Sequence, residues 1–384
     1  MNDFHQLKVD HVYCGLPSIE TANGVSKSVY LLALEEAAQG ADVHVHAITH
    51  ERGPEVPGTR GWFYDPPRIP FRLPALLLRR IAERRPDVVF LHSVYTPINN
   101  SLAMWLRRKG IPYVTRPAGG LAPSVMSRRS WLKYPYKLIF ETSLHNGALF
   151  VHSYGEAEDI RRYGIVAPIV STSRGHWLPR SLPTRIEARR QLGLPENAQI
   201  AAFVGRFHVQ QKGLDTLLDA ARQVRTRDFL LIICGVPATI GNAELADMVA
   251  AQGLSARVKI MQPLYGPEKF KLLVAADVFV HPSRWEGGVP NAVVEAASVG
   301  TPVIVTASAD PEGQIGECKA GLVVPGYGAR VAEAIDELFQ MPASQLETLS
   351  ENARNMVAQY FDGAKVARLI LEQVANRTLG SEVR

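Results

Sequence analysis

The sequence of 384 residues has few cysteines and no long apolar run. Its three cysteines, Cys14, Cys234 and Cys318, lie far apart, so they match neither a disulfide framework nor a metal cluster. No apolar stretch approaches the roughly 18 residues that a membrane-spanning helix needs. The first residues have neither the basic segment nor the apolar segment of a secretory signal. These absences predict a reduced, cytoplasmic protein.

Two ligand-binding motifs are also missing. No Gly-x-Gly-x-x-Gly follows the opening strand of either predicted half, which disfavours an NAD(P)-dependent oxidoreductase. The sequence contains no Asp-x-Asp. An enzyme that releases a nucleoside diphosphate without a metal needs cationic side chains at the leaving group. We therefore expect no essential metal and no cofactor.

The positive charge is concentrated in the first half of the chain. There are 21 basic and 15 acidic residues up to Arg174, but 21 basic and 22 acidic residues after it. The densest basic segments are residues 68–85 and residues 128–137. A basic surface attracts nucleic acid, anionic lipid or an anionic substrate. Aromatic residues alternate with cations from Arg128 to Lys137, which suits a membrane interface; a solvated face or an anionic acceptor site explains the pattern equally well.

Short apolar runs alternate with helical patterns along the chain. Five strands are predicted in the first half: Val9–Tyr13, Val43–Ile48, Asp87–Leu91, Pro112–Thr115 and Ala148–His152. The alternation predicts mostly parallel sheets with helices on both faces. A segment rich in proline and glycine interrupts it between Arg174 and Pro195, and it restarts at Ile200.

This pattern predicts an α/β fold with two doubly wound, Rossmann-like domains facing a cleft. The first domain would comprise residues 1–175 and the second residues 176–355. Residues 356–384 would form a C-terminal helix that packs back towards the first domain.

The clearest local pattern is a strand, a glycine loop and a helix start near residue 290. Gly287, Gly288 and Pro290 form the turn, and the helix is predicted over Ala292–Val299. Free N–H groups and the helix dipole make such a turn an anion site. Glu286 and Glu295 bracket it, and a nucleotide-sugar offers both phosphates and hydroxyls to such a loop. The helix dipole alone also favours glutamates near a helix start.

Two cations lie in a similar position near the start of the second half. Arg206 follows the strand beginning at Ile200, and Lys212 precedes the next predicted helix. Together they would clamp a diphosphate. The alternative is that both are ordinary surface cations.

These motifs together resemble the C-terminal domain of the retaining, family-four glycosyltransferases of the GT-B fold. The resemblance is carried by Val204-Gly-Arg, Lys212-Gly-Leu-Asp, Pro282-Ser-Arg-Trp-Glu, Glu295-Ala and Gly300-Thr-Pro-Val-Ile. Weaker similarities in the first half involve Asn23-Gly-Val, Gly119-Gly-Leu-Ala-Pro and His152-Ser-Tyr-Gly-Glu.

The resemblance implies a role for each matching position. Arg206 and Lys212 would bind the donor diphosphate and stabilise the leaving group, and Glu286 would face the sugar. Glu295 would contact the ribose, and the backbone near Leu264 would contact the base. The loop of Gly287, Gly288 and Val289 would contact the sugar and the phosphate. Gly24 would approach the diphosphate.

Four departures from the family pattern are visible, and one is that Ser171-Thr-Ser-Arg-Gly-His stands where the family has Pro-Asn-Gly at the crossover. Glu286 and Glu295 are nine positions apart, whereas the family usually spaces them by eight. Asn23 precedes Gly24 where two glycines are common. Ala118 stands where a His or Arg is often found. His92 lies at the end of a predicted strand. It would suit a catalytic acid or a sugar contact, but a structural histidine is more common.

The resulting hypothesis is a retaining, metal-independent hexosyltransferase that uses a UDP- or GDP-sugar. Its acceptor would be a glycan or a lipid-linked molecule of cell-surface polysaccharide or lipopolysaccharide biosynthesis. We expect no nucleic-acid partner, and peripheral contact with the inner face of the plasma membrane through residues 128–137. The alternatives are another GT-B enzyme, an epimerase or a phosphorylase, or a non-catalytic protein that binds anionic ligands.

Overall fold

A computed structural model describes residues 4–21, 23–94, 96–118, 120–121, 144, 147–151, 154–162, 164–171, 175–176 and 181–376. The chain divides into two compact units. The first unit comprises Met1–Gly175 and Asp362–Arg384, and the second comprises His176–Phe361. The predicted boundary after residue 355 falls inside a helix that continues to Tyr360.

A parallel sheet forms the centre of the first unit. Its strands are β1 (Lys8–Tyr13), β2 (Asp42–Ile48), β3 (Arg60–Tyr64), β4 (Val88–His92), β5 (Tyr113–Arg116), β6 (Ala148–Val151) and β7 (Ile169–Ser171). They follow the order β3-β2-β1-β4-β5-β6-β7. The described helices between them are α1 (Gly24–Ala38), α2 (Ala75–Arg84), α3 (Pro97–Lys109) and α4 (Tyr154–Arg162).

A second parallel sheet forms the centre of the second unit. Its strands are β8 (Gln199–Phe207), β9 (Phe229–Pro237), β10 (Val258–Met261), β11 (Val278–His281), β12 (Val303–Val305) and β13 (Gly321–Val323). They follow the order β10-β9-β8-β11-β12-β13. The helices are α5 (Arg185–Gln191), α6 (Val209–Lys212), α7 (Leu214–Gln223), α8 (Asn242–Ala251), α9 (Gly266–Ala275), α10 (Asn291–Ser298), α11 (Gln314–Glu317), α12 (Gly328–Gln340) and α13 (Ala343–Tyr360), with a 3₁₀ turn at Ala307–Ala309.

The last helix, α14 (Gly363–Ala375), belongs to the first unit. Asp362 caps it, because its side chain accepts hydrogen bonds from the N–H groups of Ala364 and Lys365. Ile370 and Leu371 are buried in the same apolar cluster as Val9 of β1 and Leu32 of α1. The opposite face of this sheet packs against α2 and α3.

The order of the strands reverses at an equivalent place in both sheets. The strand order reverses between β1 and β4 in the first sheet, and between β8 and β11 in the second. Loops that follow such a strand pair at its carboxyl edge form the usual ligand site of doubly wound sheets. The predicted α/β class, with two parallel sheets, is confirmed.

The sequence interpretation missed three strands, β3, β7 and β13. All three are short edge strands, with sequences Arg-Gly-Trp-Phe-Tyr, Ile-Val-Ser and Gly-Leu-Val, so none has the apolar run of a central strand. The sequence pattern also predicts a helix over Tyr134–His145, and these residues lie outside the described part of the chain except for Leu144. None of the described helices combines the length and the apolar character needed to cross a membrane.

Candidate active site

Two loops meet at the carboxyl edge of the second sheet because β8 and β11 are adjacent strands. Residues 208–213 follow β8 and residues 282–290 follow β11. Arg206 lies near the end of β8, is exposed and has no ion-pair partner within the described part of the chain. Lys212 is the last residue of the single-turn helix α6 and is buried. The two predicted diphosphate ligands are thus both at this edge.

The two loops are held together by one close backbone approach that only glycine allows and by hydrogen bonds of Arg284. Gly213 has a φ of +66°, and a Cβ placed on it would lie 2.1 Å from the carbonyl oxygen of Pro282. The N–H of Arg284 donates to the carbonyl of Gln211 at 2.9 Å. The Arg284 guanidinium binds both carboxylate oxygens of Asp215, at 2.9 and 2.7 Å. These contacts fix the positions of Lys212 and Glu286 relative to each other.

Lys212 and Glu286 bind each other directly. The Lys212 Nζ lies 2.5 Å from the Glu286 Oε1, and both side chains are only 10% exposed. The same oxygen of Glu286 lies 3.2 Å from Nε2 of His281, whose side chain is 1% exposed. The residue predicted to hold the diphosphate and the residue predicted to face the sugar therefore form one buried cluster with His281.

The environment keeps Glu286 ionised. Burial raises the pKa of its carboxyl, but the hydrogen bond from His281 and the charge of Lys212 outweigh burial and lower the pKa to about 2. Burial lowers the pKa of His281, although its hydrogen bond to Glu286 opposes the shift. His281 is then neutral at pH 7 and donates its Nε2–H to the carboxylate. Glu286 can accept hydrogen bonds and stabilise positive charge, but it is not a proton donor.

His281 was given no role by the sequence interpretation. It is the last residue of β11, between the rings of Phe203 and Phe279. The ring centroids are 5.4 and 6.1 Å away, and the planes are within 13° and 14° of parallel. Stacking on both neighbours fixes the direction of the Nε2–H bond. The available signal was a histidine that ends an otherwise apolar strand.

Glu295 has its own cationic partner. It lies in α10, is 6% exposed, and forms an ion pair with the ammonium group of Lys269 in α9. Lys269 is 5% exposed. Charges this deeply buried are retained only when they are paired. Lys269 was not predicted, because only the packing of α9 against α10 brings it to Glu295.

The glycine loop ends at a helix start that no side chain caps. Gly288 is buried and has a φ of +135°, a conformation that favours glycine. Pro290 immediately precedes α10, which begins at Asn291, one residue earlier than predicted. N–H groups in an uncapped first turn are available to an anion. The loop also includes Gly287 and Val289, and Val289 packs against the core of the unit.

Leu264 lies in the loop between β10 and α9, also at the carboxyl edge of the second sheet. Its side chain is partly buried against the core. The strand β10 is separated from β8 by β9. Leu264 therefore lies to one side of the Lys212–Glu286 pair, on the same edge of the same sheet.

In the first unit, Asn23 caps the helix that begins at Gly24. Its side-chain oxygen accepts from the N–H groups of Val25 at 3.0 Å and Ser26 at 3.4 Å. Its amide nitrogen donates to the hydroxyl of Tyr13 at 3.1 Å. A phosphate at this helix start would compete with the Asn23 side chain for these N–H groups, which is the physical consequence of replacing a glycine.

His92 belongs to a buried polar network. Its Nε2 lies 2.9 Å from Nδ1 of His11, and Nε2 of His11 lies 2.6 Å from Oε2 of Glu36. His11 and Glu36 are fully buried, and His92 is 2% exposed. This arrangement supports the structural role for His92. Ala118, where the family often has a His or Arg, has a φ of +52°.

Only one group of metal-binding residues is present among the described residues. Asp10, His44 and His46 offer atoms that lie within 4.8 Å of one another. The guanidinium of Arg84 already donates to Asp10 at 2.7 Å, and His46 bonds to the hydroxyl of Tyr64 at 2.9 Å. Arg84 thus supplies the positive charge that balances Asp10. Asp10, His44 and His46 are therefore part of an ion-pair network with Arg84, the last residue of α2.

Several positions from the sequence interpretation lie outside the described residues. They are the basic segment from Arg128 to Lys137, together with Gly119, His152 and Ser153.

Both units match known protein families. Residues 184–356 match the family described as glycosyl transferases group 1, and residues 22–175 match glycosyltransferase family 4. The chain belongs to the family-four glycosyltransferases of the GT-B fold.

Curated relatives of this family share about a third of the aligned residues. The D-inositol 3-phosphate glycosyltransferase of Corynebacterium urealyticum is 31% identical over 228 residues, which are 55% of this chain and 53% of that protein. The putative teichuronic acid biosynthesis glycosyltransferase TuaC of Bacillus subtilis is 28% identical over 190 residues, or 50% of this chain and 45% of that protein. The chain therefore spans about half the length of the curated relatives it matches.

Solved structures extend the similarity of fold to almost the whole chain. Sucrose-phosphate synthase of Thermosynechococcus elongatus has a TM-score of 0.79 at 22% identity, covering 98% of this chain and all of that one. The Anabaena protein HepE, in complex with UDP-glucose, has a TM-score of 0.71 at 18% identity, covering 97% of this chain and all of that one. At these identities the likeness establishes the fold alone.

Proposed function

We propose that the chain is a retaining glycosyltransferase that moves a hexose from a UDP- or GDP-sugar to a glycan or a lipid-linked acceptor. The observation that carries the proposal is the buried cluster of Lys212, Glu286 and His281 beside an uncapped helix start. This cluster lies at the switch point of the second sheet, where such folds bind nucleotides.

The departing diphosphate would be stabilised by Arg206 and Lys212. Arg206 is exposed and unpaired within the described residues, so it can reach a phosphate without breaking an existing ion pair. Lys212 would exchange part of its contact with Glu286 for a phosphate oxygen. Preorganised cations at a leaving group commonly contribute a hundredfold or more to the rate. They would provide this charge without a metal ion.

The donor sugar would lie against Glu286. A carboxylate held ionised beside the anomeric centre stabilises the positive charge that develops as the glycosidic bond to phosphate breaks. Because His281 and Lys212 both bind Oε1, the other carboxylate oxygen is left to accept hydrogen bonds from sugar hydroxyls. The backbone of Gly287, Gly288 and Val289 would bind the sugar and the phosphates.

The nucleoside would be held further along the same edge. Glu295 would accept hydrogen bonds from the ribose, the backbone near Leu264 would contact the base, and Gly24 of the first unit would face the diphosphate. The likeness to HepE, which is recorded in complex with UDP-glucose, supports a nucleotide-sugar as donor.

The proposed pathway is cell-surface polysaccharide or lipopolysaccharide biosynthesis. A teichuronic acid glycosyltransferase is among the relatives, and WaaG, described as a glycosyltransferase involved in lipopolysaccharide biosynthesis, is a structural neighbour with a TM-score of 0.69. We propose that the protein works at the inner face of the plasma membrane, with residues 128–137 in peripheral contact.

The decisive experiment is to incubate the protein with a panel of UDP- and GDP-sugars and candidate acceptors. A glycosidic product with the anomeric configuration of the donor supports a retaining transferase. An epimerised nucleotide-sugar, a free sugar phosphate, or binding without any turnover would instead indicate an epimerase, a phosphorylase or a non-catalytic binding protein. Full activity in EDTA is expected, and loss of activity that Mg²⁺ restores would contradict metal independence.

Substitution of Lys212 tests the role of the cation. Lys212→Met should lower kcat by about a hundredfold or more while the protein stays folded. Lys271→Met is the matched control, because Lys271 is a lysine of the same unit whose 2.5 Å ion pair with Glu268 is at the surface. Equal rates for the two variants would contradict the proposed diphosphate contact.

A further inference from the structure

His281 occupies an apolar position in which a histidine is unfavourable for packing alone. It ends the strand β11, whose other residues are Val278, Phe279 and Val280, and its side chain is 1% exposed. Its ring stacks against the rings of Phe203 and Phe279. A leucine or a phenylalanine would fill such a position without burying a polar atom. The histidine therefore contributes something other than packing.

The two ring nitrogens of His281 have different surroundings. Nε2 lies 3.2 Å from Oε1 of Glu286, whereas Nδ1 is buried and bonds to no group of the described residues. A ring with its proton on Nδ1 would place the lone pair of Nε2 against the carboxylate and leave a buried N–H without an acceptor. A charged ring would bury the same unsatisfied N–H. The neutral ring with its proton on Nε2 is the form that fits, and burial lowers the pKa of His281 in agreement with it.

Glu286 receives both of its donors among the described residues on one oxygen. The Nζ of Lys212 lies 2.5 Å from Oε1, and Nε2 of His281 binds the same atom. Lys212 carries its charge on a flexible four-carbon chain and can change partners. His281 is held by the stacked rings on the strand. His281 is therefore the fixed partner of the carboxylate, and Lys212 is the partner that can turn to an anion.

We propose that His281 is a positioning residue for Glu286. Its Nε2–H would hold Oε1 in place when Lys212 moves to the diphosphate, so that Oε2 stays directed at the donor sugar. The inference rests on the proposed function, which supplies the contact between Glu286 and the sugar. It adds that this contact depends on a residue that does not touch the substrate. A misplacement of 1 Å in an active site can cost about a hundredfold in rate.

The first test compares two substitutions of His281. In His281→Gln the side-chain amide can donate from about the position of Nε2, whereas His281→Met fills a similar volume without a donor. With a saturating nucleotide-sugar, His281→Met should lower kcat by about tenfold or more, and His281→Gln should restore most of that loss. Both variants should bind free UDP or GDP like wild type, because the proposed diphosphate ligands are Arg206, Lys212 and the glycine loop.

Leu338→Ala is the matched control for a general loss of stability. Leu338 is 1% exposed in α12, and the carbonyl of its neighbour Phe339 accepts from the side chain of Gln199, the first residue of β8. This is the amino edge of the sheet, opposite the edge at which His281 lies. The control should lower the melting temperature and leave kcat unchanged. Wild-type kcat in His281→Met, equal losses of kcat in both His281 variants, or a kcat that follows the melting temperature in all three proteins would overturn the positioning role.

A second measurement does not depend on turnover. Protein labelled with ¹⁵N in its histidine rings is compared with His281→Gln by NMR at pH 7, and the signal that disappears belongs to His281. The expected shifts are those of a neutral ring with its proton on Nε2. A proton on Nδ1, or a charged ring, would overturn the proposal whether or not the protein is a transferase. If wild type shows the expected ring but forms no glycosidic product, the proposed function fails while the hydrogen bond from His281 to Glu286 stands.

Discussion

Glu286 is held between a cation and a neutral histidine. The free energy of unfolding of the second unit therefore depends on the charge of this carboxylate. Its folded pKa of about 2 lies below the ordinary value of 4.5. Such a carboxylate contributes stability above the unfolded pKa, and that contribution is lost as the pH falls towards the folded pKa. The relevant window is therefore between pH 4.5 and 2.

The expected consequence is a pH-dependent difference between wild type and Glu286→Gln. From pH 5 to pH 3, the free energy of unfolding of wild type should fall by roughly 2 kcal/mol more than that of the variant. Chemical denaturation at each pH measures it. The other carboxyls remain in both proteins, so they largely cancel in the difference. Parallel curves would show that the carboxylate is not stabilised by its neighbours.

Lys269 provides a second residue-scale prediction. Lys269→Met leaves the carboxylate of Glu295 buried without its cation, which should cost about 3–5 kcal/mol of stability. The double variant with Glu295→Gln should regain most of that loss, because no charge then remains uncompensated. If Glu295 binds the ribose, affinity for nucleoside diphosphate should stay weakened in the double variant. Titration calorimetry and denaturation separate the two effects, and wild-type affinity in the double variant would argue against the ribose contact.

The individual residues of the site could be predicted only where they belong to a recognisable sequence motif. Arg206, Lys212, Glu286 and Glu295 stand out by their positions beside strand ends and glycines. Their partners do not, since Lys212 and Glu286 are 74 positions apart and Lys269 is an ordinary lysine of an amphipathic helix. Pairing of this kind depends on strand order and helix packing, which the local sequence does not specify.

At the scale of elements, Gly213 joins α6 to α7 and lets the loop after β8 pass against Pro282. Gly213→Ala would place a Cβ 2.1 Å from the Pro282 carbonyl oxygen, so one of the two loops must move. Gly193→Ala is the matched control, because Gly193 has a similar φ of +60° but no atom within 4 Å of the added Cβ. The control should cost about 1–2 kcal/mol from backbone strain alone.

The Gly213 variant should lose clearly more stability than the control, and it should also lose donor binding because Lys212 and Glu286 are displaced. Thermal denaturation and nucleotide titration of both variants measure this. Equal losses would mean that the contact between the loops relaxes without cost. The comparison separates steric contact from conformational strain at positions with nearly the same backbone geometry.

Elements were predicted well where the chain alternates clearly between apolar runs and amphipathic helices. The strand predicted over Val9–Tyr13 is observed over Lys8–Tyr13, and the strand predicted over Val43–Ile48 is observed over Asp42–Ile48. The edge strands β3, β7 and β13 were not predicted because they are short and are paired on one side only. Edge strands need less apolar sequence than buried central strands, so periodicity gives a weak signal for them.

At the scale of the whole molecule, the first unit is built from two separate parts of the chain. The chain leaves it at Gly175 and returns at Asp362, and a Cβ on Gly175 would lie 2.7 Å from the Cα of Gly363. The side-chain amide of Gln39 donates to the carbonyl of Ala364 at 2.5 Å. The core of this unit is therefore complete only when α14 is in place.

Leu371→Ala tests this dependence. Leu371 is fully buried in the first unit, so truncation should cost about 2–5 kcal/mol through lost burial and the cavity left behind. Leu369→Ala on the same helix is the control, because Leu369 is 39% exposed and should change stability far less. Hydrogen exchange should show reduced protection of β1 and β4, with β8 and β9 unaffected. Equal loss of protection in all four strands would show instead that the two units unfold as one cooperative body.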